Sequence, residues 1–537
     1  MTVDRSTALR RRTVLTGSGA TGAALLLGSG TREAAASPVL WSRHSRAGAP
    51  GVTGVHLQFG ADAAREMAVS WLTPEPVRRP RIHLGTLGGG FGRTVAADTR
   101  SYRDGLSRTE VFVHHARLDG LRPAATYTYA AVHEGATPET GVFTMAPHGR
   151  SPFTFTSFGD QGTHDLRRIV KLPDGVPSPT GPYPLHTSSQ VGSPASSDIV
   201  AAIERIGPLF NLVNGDLCYA SVGGLFGQDR VATWADWFTG NSRSTRFRPW
   251  MPCAGNHENE RGNGPLGAAA YQAYYDLPHA GSTQETRGLW YAFTVGSVRV
   301  ISLANDDVAI QDGGDSYLRG FSGGAQRRWL ERELRRSRAD AAVDWIVVCM
   351  HQPVISSARR SNGSDLGVRA AWGPLFDAYG VDLVLSGHDH HYERSHPVRG
   401  ALPNDTRTPV PAATRQDVID TSRGTVHMVI GGGGNFATSY RSLFERPRGR
   451  VIVARSDEQS PDLPDRKDSV WLEEDAPWAS VQDREHPHGF AAFDVDPGDR
   501  HSTRTRIRVT YYTFHGPYAE LKPVDTFTLE RPRGDAG

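Results

Sequence analysis

The stretch Gly387-His388-Asp389-His390 follows an apolar run, Val381 to Leu385, that reads as a buried strand. His388 and His390 alternate, and a period of two places both imidazoles on one side of an extended backbone. Two imidazoles converging past a strand end are the beginning of a metal site, although one such pair is common. Four stretches upstream repeat the event. Phe153 to Phe158 runs into Gly159-Asp160, and Phe210 to Asn214 runs into Gly215-Asp216-Leu217-Cys218-Tyr219. Pro252-Cys253-Ala254 leads to Gly255-Asn256-His257-Glu258, and Trp345 to Met350 leads to His351. Each time a strand ends, glycine usually lets the backbone turn sharply, and a metal-ligand side chain follows. A capping aspartate, a turn asparagine or a core histidine explains any one of these alone. Five in succession point to a metal centre.

The elements that must position these residues are legible around them. Helical patterns run from Asp198 to Ile206, Ala325 to Leu334 and Ala370 to Tyr379. In the second, Leu330 and Leu334 share a face and the arginines sit mostly on the others, as a solvated face does. Strands alternating with helices predict an α/β domain with sites at strand ends. Ahead of it, from about Val52 to Ala146, the pattern is short alternating strands. Met67 to Leu72, Val111-Phe112-Val113, and the turn and strand from Leu121 to Tyr129 are examples. These predict a β-sandwich. Ala146 to Gly149 reads as the linker. The expected division is a signal segment 1–36, a β-sandwich 37–147 and a catalytic domain 148–537. Lys171 to Ser197 and Arg441 to Pro487 read as long loops placed to shape the pocket mouth. Gly431 to Gly434 lacks the Lys-Ser/Thr of a phosphate loop and reads as a crowded turn.

A chain of 537 residues exceeds one ordinary core. Its net charge of +2, without a basic block, argues against nucleic-acid binding. Three widely spaced cysteines, Cys218, Cys253 and Cys349, are not a disulfide framework. They read as small buried side chains, with one bridge and a leftover thiol as the alternative. Arg10-Arg11-Arg12-Thr13-Val14-Leu15, a mild apolar stretch to Leu27, and Ala34-Ala35-Ala36-Ser37 follow the order of an export signal. The arginine core resembles a twin-arginine signal. That implies the twin-arginine export machinery as a partner and an extracellular, periplasmic or cell-envelope location. The apolar part is too short to span a bilayer, and no other stretch is a membrane candidate.

In combination and order, the five motifs resemble those of the metallophosphoesterase superfamily. Tyr219 and the preceding sandwich make the chain similar to purple acid phosphatases. Val348-Cys349-Met350-His351 keeps the family's Val-x-x-His spacing, and Gly424 to Gly434 and Gly489 to Phe493 are similar too. Trp71 with Tyr127 or Tyr129 resembles the core tryptophan and tyrosine corner of a fibronectin type III domain. The resemblance implies a layered α/β/β/α catalytic domain and two metal sites. Asp160, Tyr219 and His390 would hold the first ion; Asn256, His351 and His388 would hold the second; Asp216 would bridge them. The first set has a carboxylate and a phenolate of its own, which suits Fe(III). The second is neutral apart from the bridge, which suits Zn(II), Mn(II) or Fe(II). The implied activity is acid hydrolysis of small-molecule phosphate monoesters by a metal-bound hydroxide. His257 is similar to the family's substrate-orienting proton donor.

One departure concerns the loop after His351. Plant-type members carry a histidine about ten residues on, where this chain reads Ser357-Ala358-Arg359-Arg360-Ser361-Asn362. Arg360 is a candidate phosphate ligand in its place, and His391 is an extra candidate near the site. Two other functions compete. One is a phosphodiesterase or phospholipase-type hydrolase on the same centre. The other is a non-catalytic binding or adhesion protein built on the sandwich, against which the complete ligand set argues.

Overall fold

The computed structural model describes residues 49–164, 169–170, 185–186, 191–220, 229–311, 317–445, 447–459, 467–516, 518 and 520–535. The expected signal segment lies outside them, as does much of the expected loop from Lys171 to Ser197.

Alternating side chains between Thr53 and Thr144 build two antiparallel four-stranded sheets. One orders its strands Thr53–Phe59, Met67–Thr73, Glu110–Leu118, Asp98–Arg103; the other Gly90–Ala96, Arg81–Thr86, Thr126–Val132, Glu139–Thr144. Trp71 is fully buried, with its ring 5.3 Å from that of His114. The two tyrosines separate by task. Tyr127 Oη accepts from the backbone N–H of Arg122, five residues upstream, at 2.9 Å, which is the tyrosine-corner bond. Tyr129 Oη instead donates to the carbonyl of Arg246 at 2.7 Å, beyond the sandwich.

The sandwich is fused to the second domain by one continuous apolar core. Buried carboxylates are paired across the same boundary. Arg230, at the start of the helix Arg230–Thr245, donates to Asp104 at 2.7 Å, with Glu260 at 3.9 Å. Arg100 and Arg117 both bind Asp276. A buried charge left without its partner is costly, so these pairs fix how the sandwich docks.

The second domain stacks two seven-stranded sheets. The first runs Trp250–Pro252, Phe210–Val213, Phe153–Phe158, Gly489–Asp496, Arg504–Thr513, Lys522–Pro532, Val418–Asp420. The second runs Tyr291–Val295, Val298–Ser302, Trp345–Cys349, Leu383–Ser386, Val426–Ile430, Tyr392–Ser395, Ala479–Gln482. Alternate residues of the second sheet divide between two cores. Val347, Cys349, Leu383 and Leu385 pack inward between the sheets. Ile346, Val348 and Val384 pack outward with Leu330, Leu334, Trp372 and Phe376 of the covering helices. Burial on both faces is why these strands read as unbroken apolar runs. The result is the expected layered α/β/β/α domain behind a β-sandwich.

Two expectations about elements need correction. The helical pattern from Ala370 to Tyr379 is two short helices, Leu366–Ala371 and Gly373–Tyr379, broken at Trp372. Pro374 lacks an N–H and fits only the first turn of the second helix. The stretch from Arg441 to Pro487 is not a plain loop. It holds a long hairpin, Arg448–Gln459 against Lys467–Asp475, and the edge strand Ala479–Gln482. Most of the Lys467–Asp475 strand faces solvent, so its sequence lacks the apolar period that marks a core strand. The three cysteines are buried and unbridged.

Candidate metal centre

All five motifs lie just past the carboxyl ends of strands. Phe158 is in register with Val213, and Cys349 with Leu385, so the strand ends open at the same level within each sheet. The first two loops are laced together, Asp160 N–H to Gly215 O at 3.1 Å and Gly162 N–H to Leu217 O at 2.9 Å. Asp160, Asp216, Tyr219 and His388 have φ of 60°, 53°, 54° and 72°. They are half of the eight non-glycine residues with positive φ among the described residues. Such backbone is disfavoured, and it persists where the surroundings dictate it, commonly at functional sites.

The side chains converge in two clusters. In the first, Tyr219 Oη lies 3.0 Å from Asp160 Oδ1 and 3.2 Å from His390 Nε2, and His390 Nε2 lies 3.2 Å from Asp160 Oδ1. In the second, His351 Nε2 lies 2.9 Å from Asn256 Oδ1 and 3.1 Å from His388 Nδ1. Asp216 joins this cluster through Oδ2, 3.1 Å from His351 Nε2. Donor atoms of Asp216, His351 and His388 fall within 4.8 Å of one another. Asp160, Asp216, Tyr219, Asn256, His351 and His388 are buried, whereas His390 and His257 are partly exposed and mark the open side.

Backbone groups aim the imidazoles. His351 Nδ1 and His390 Nδ1 each face a carbonyl at 2.7 Å, of Asn214 and Ala437 respectively. A carbonyl only accepts, so each Nδ1 carries the proton and each Nε2 offers its lone pair to the centre. Glycine makes room: a Cβ on Gly387, or on Gly431 from the other side, would press on Asp160 Oδ2. The crowded turn expected at Gly431 to Gly434 is therefore part of the site's wall.

Several supporting residues escaped the sequence reading. Glu258 accepts the N–H groups of Asp216, Leu217 and Gly255 at 2.9, 2.8 and 2.7 Å, tying two ligand loops together. It belongs to a quoted motif, and its place at the third position of a short helix was the available signal. Asn305 receives the His351 N–H at 2.7 Å, and Asp389 receives those of Asn362 and Gly363 at 3.0 Å. Asn305 and the Ala437 carbonyl carry no local signal.

The electrostatics favour a cation. Burial would depress the His351 pKa, but Asp216 and Asp160 outweigh it and push it up to about 10. Burial and the neighbouring His351 bring His388 down to about 3. Burial works against the Asp216 carboxylate, yet His351 and His257 hold it well below the usual range. Burial, with Asp160 and Asp216, raises the Tyr219 phenol well above its ordinary value. Without a metal, a proton sits among acceptors that all face one another. A bound metal ion would take the place of that proton and reverse the pressure on the phenol. This donor set, two carboxylates, a phenol, an amide oxygen and three imidazoles, fits bound cations.

His257 follows Asn256 with its ring 4.6 Å from that of Tyr219, and its backbone N–H donates to Asp216 Oδ1 at 2.9 Å. Arg360 is exposed on the loop before Asn362. His391 is buried and turned away, between Ser439 Oγ at 2.8 Å and Glu393 Oε1 at 2.9 Å.

A profile of the purple acid phosphatase N-terminal domain matches residues 52–145, and one of the calcineurin-like phosphoesterase domain matches residues 185–392. An uncharacterised protein of Mycobacterium tuberculosis is 55% identical over 522 residues, 96% of this chain and 95% of that protein. A purple acid phosphatase of Glycine max is 26% identical over 385 residues, 71% of this chain and 72% of that protein. A phosphoenolpyruvate phosphatase of Allium cepa is 25% identical over 459 residues, 84% of this chain and 80% of that protein. In fold, the purple acid phosphatase from yellow lupin (Lupinus luteus) seeds matches with a TM-score of 0.62 at 20% identity, covering 91% of this chain and 76% of that one. The chain belongs to the metallophosphoesterase superfamily as a purple-acid-phosphatase-like member, a metal-dependent phosphoric ester hydrolase.

Proposed function

We propose that this protein is an exported acid phosphatase that hydrolyses small phosphate monoesters with two metal ions. Fe(III) would be held by Asp160, Tyr219 and His390, and a divalent Zn, Mn or Fe ion by Asn256, His351 and His388, with Asp216 shared. The observation that carries this reading is a pair of adjoining donor clusters, linked by the His388 N–H on Asp160 Oδ2 at 2.9 Å: one has its own carboxylate and phenol, and the other is neutral apart from Asp216 beside His351. When bound, two such cations offset the charge of a phosphate and lower the pKa of a coordinated water.

The chain's own groups do the rest. Asn214 and Ala437 keep the His351 and His390 lone pairs on the centre. Glu258 keeps the Asp216 and Asn256 loops in fixed register. His257, partly exposed and resting on Tyr219, orients the ester and gives a proton to the departing oxygen. Arg360, a long exposed side chain on the loop after His351, binds the phosphate oxygens. The mature protein would lose residues 1–36 to twin-arginine export and act at the cell envelope or outside it. Its sandwich would span residues 37–147 and its catalytic domain residues 148–537. The Allium cepa relative's name, phosphoenolpyruvate phosphatase, denotes a monoesterase and supports the choice of monoesters.

Metal analysis alongside a phosphoester panel tests the reading. Two ions per chain, one of them iron, with monoesters turned over faster than bis-esters, is the expected result. Faster turnover of bis-esters would make the protein a diesterase. No hydrolysis with both ions loaded would leave a binding protein.

A further inference from the structure

Gln311 lies outside every motif above, yet its side chain is wired to a candidate metal ligand. Its Oε1 is 2.6 Å from His388 Nε2, and its Nε2 donates to Asn362 Oδ1 at 2.9 Å. Asn362 Nδ2 in turn donates to the backbone carbonyl of His388 at 2.8 Å. The three residues close a ring of hydrogen bonds.

The direction of the ring follows from one group. The His388 carbonyl can only accept, so Asn362 must face it with its NH2. That turns Asn362 Oδ1 toward Gln311, which must then present its own NH2. The oxygen of Gln311 is left facing His388 Nε2, which must be the protonated nitrogen. A neutral imidazole carries one proton, so Nδ1 becomes the lone-pair donor. Nδ1 is also the nitrogen that lies 3.1 Å from His351 Nε2. Asn214 makes His351 Nε2 a lone pair by the same logic. Two lone pairs at that separation repel unless a cation or a proton lies between them.

The backbone holds the ring in place. Gln311 N–H donates to Asp365 Oδ2 at 3.0 Å, and Asn362 N–H to Asp389 Oδ1 at 3.0 Å. The Trp471 indole donates to the Asn362 carbonyl at 3.1 Å, under the Arg450 guanidinium 4.0 Å above its ring. The solvent-facing hairpin thus braces the loop from outside.

We propose that Gln311, oriented by Asn362, is a positioning residue that selects the tautomer of His388 and so sets affinity at the second metal site. The proposal rests on the two-metal reading above. It is tested on the full-length protein loaded with iron and zinc, challenged with graded chelator, with both metals counted by mass spectrometry. Gln311→Met removes the acceptor at nearly constant length. Its zinc affinity is expected to fall about 10–100-fold, the usual effect of losing such an outer partner. Iron should be retained, and the metal-free variant should melt with metal-free wild type. Gln311→Glu keeps an acceptor for Nε2–H and should hold zinc better than Gln311→Met. Asn362→Ala should reproduce the selective loss. Zinc held by Gln311→Met as tightly as by wild type overturns the proposal. So does parallel loss of both metals with a lowered melting temperature, or Gln311→Glu no better than Gln311→Met. Wild type holding fewer than two ions would instead sink the two-metal reading, and this proposal with it.

Discussion

The hydroxyl oxygen of Tyr219 lies 3.0 Å from Asp160 Oδ1, with both residues held at left-handed φ, 54° and 60°. Burial and two nearby carboxylates hold the phenol protonated in the protein alone. A trivalent ion at this point would remove that proton, and a phenolate bound to Fe(III) absorbs visible light by charge transfer. Oxidised, iron-loaded protein is therefore expected to be pink to violet. Tyr219→Phe should be colourless in a visible spectrum while keeping some hydrolysis. A colourless, fully active wild type free of iron would remove the purple-type metal assignment and leave the phosphoesterase.

His257 sits at the open side of the centre, with its ring 4.6 Å from that of Tyr219. His257→Ala should keep both metals and lose about 10²–10⁴-fold in rate, the range for general acid catalysis. The loss should be steepest for esters with poor leaving groups, which need the proton most. Rates across a leaving-group series, with metal content measured in parallel, decide it. Loss of metal would make the residue structural.

The pH dependence of the metal-free protein follows from His351. Its pKa rises from the usual 6.5 to about 10 on folding, with burial opposing and Asp216 and Asp160 prevailing. A raised folded pKa stabilises fully below the unfolded value and loses that contribution as pH climbs through the folded one. Metal-free protein should therefore melt progressively lower between about pH 6.5 and about pH 10. An ion bound at His351 would displace that proton, so its affinity should rise about tenfold per pH unit in the same window. Calorimetry of metal-free protein and chelator competition at two pH values test both statements. A flat affinity would show that His351 is neutral before the metal arrives.

Gly387 ends a strand where a side chain would press on Asp160 Oδ2 and the Asn214 carbonyl. Gly387→Ala should fold, with a loss of about 1–3 kcal/mol from overpacking. It should release iron while losing less of the second metal. Unchanged iron content would show that the Asp160 carboxylate has slack that the packing does not reveal.

Arg11 and Arg12 are expected to direct twin-arginine export. Arg11→Lys with Arg12→Lys should leave the protein inside the cell, and the mature chain should begin near Ser37. Fractionation and N-terminal sequencing read the outcome, and normal secretion of the double mutant rejects the twin-arginine reading.

Sequence alone determined which strand ends present the candidate ligands. Strands buried on both faces must be apolar throughout, so the polar residue after each run stands out, and five runs ending in Asp160, Asp216, Asn256, His351 and His388 announce a site. The same alternation separated a sandwich from an α/β domain. It failed where burial is one-sided or slight, as in the hairpin from Arg448 to Asp475. Other matters were decided only in three dimensions. Tyr127 rather than Tyr129 forms the corner because Tyr129 meets the Arg246 carbonyl, 117 residues away. His391 turns from the centre because Glu393 and Ser439 engage it. The tautomers of His351, His388 and His390 depend on Asn214, Gln311 and Ala437, which come from distant segments. Local sequence records what a residue can donate or accept. Its hydrogen-bond partner, and with it the direction of each lone pair, comes from the packing of segments far apart in the chain.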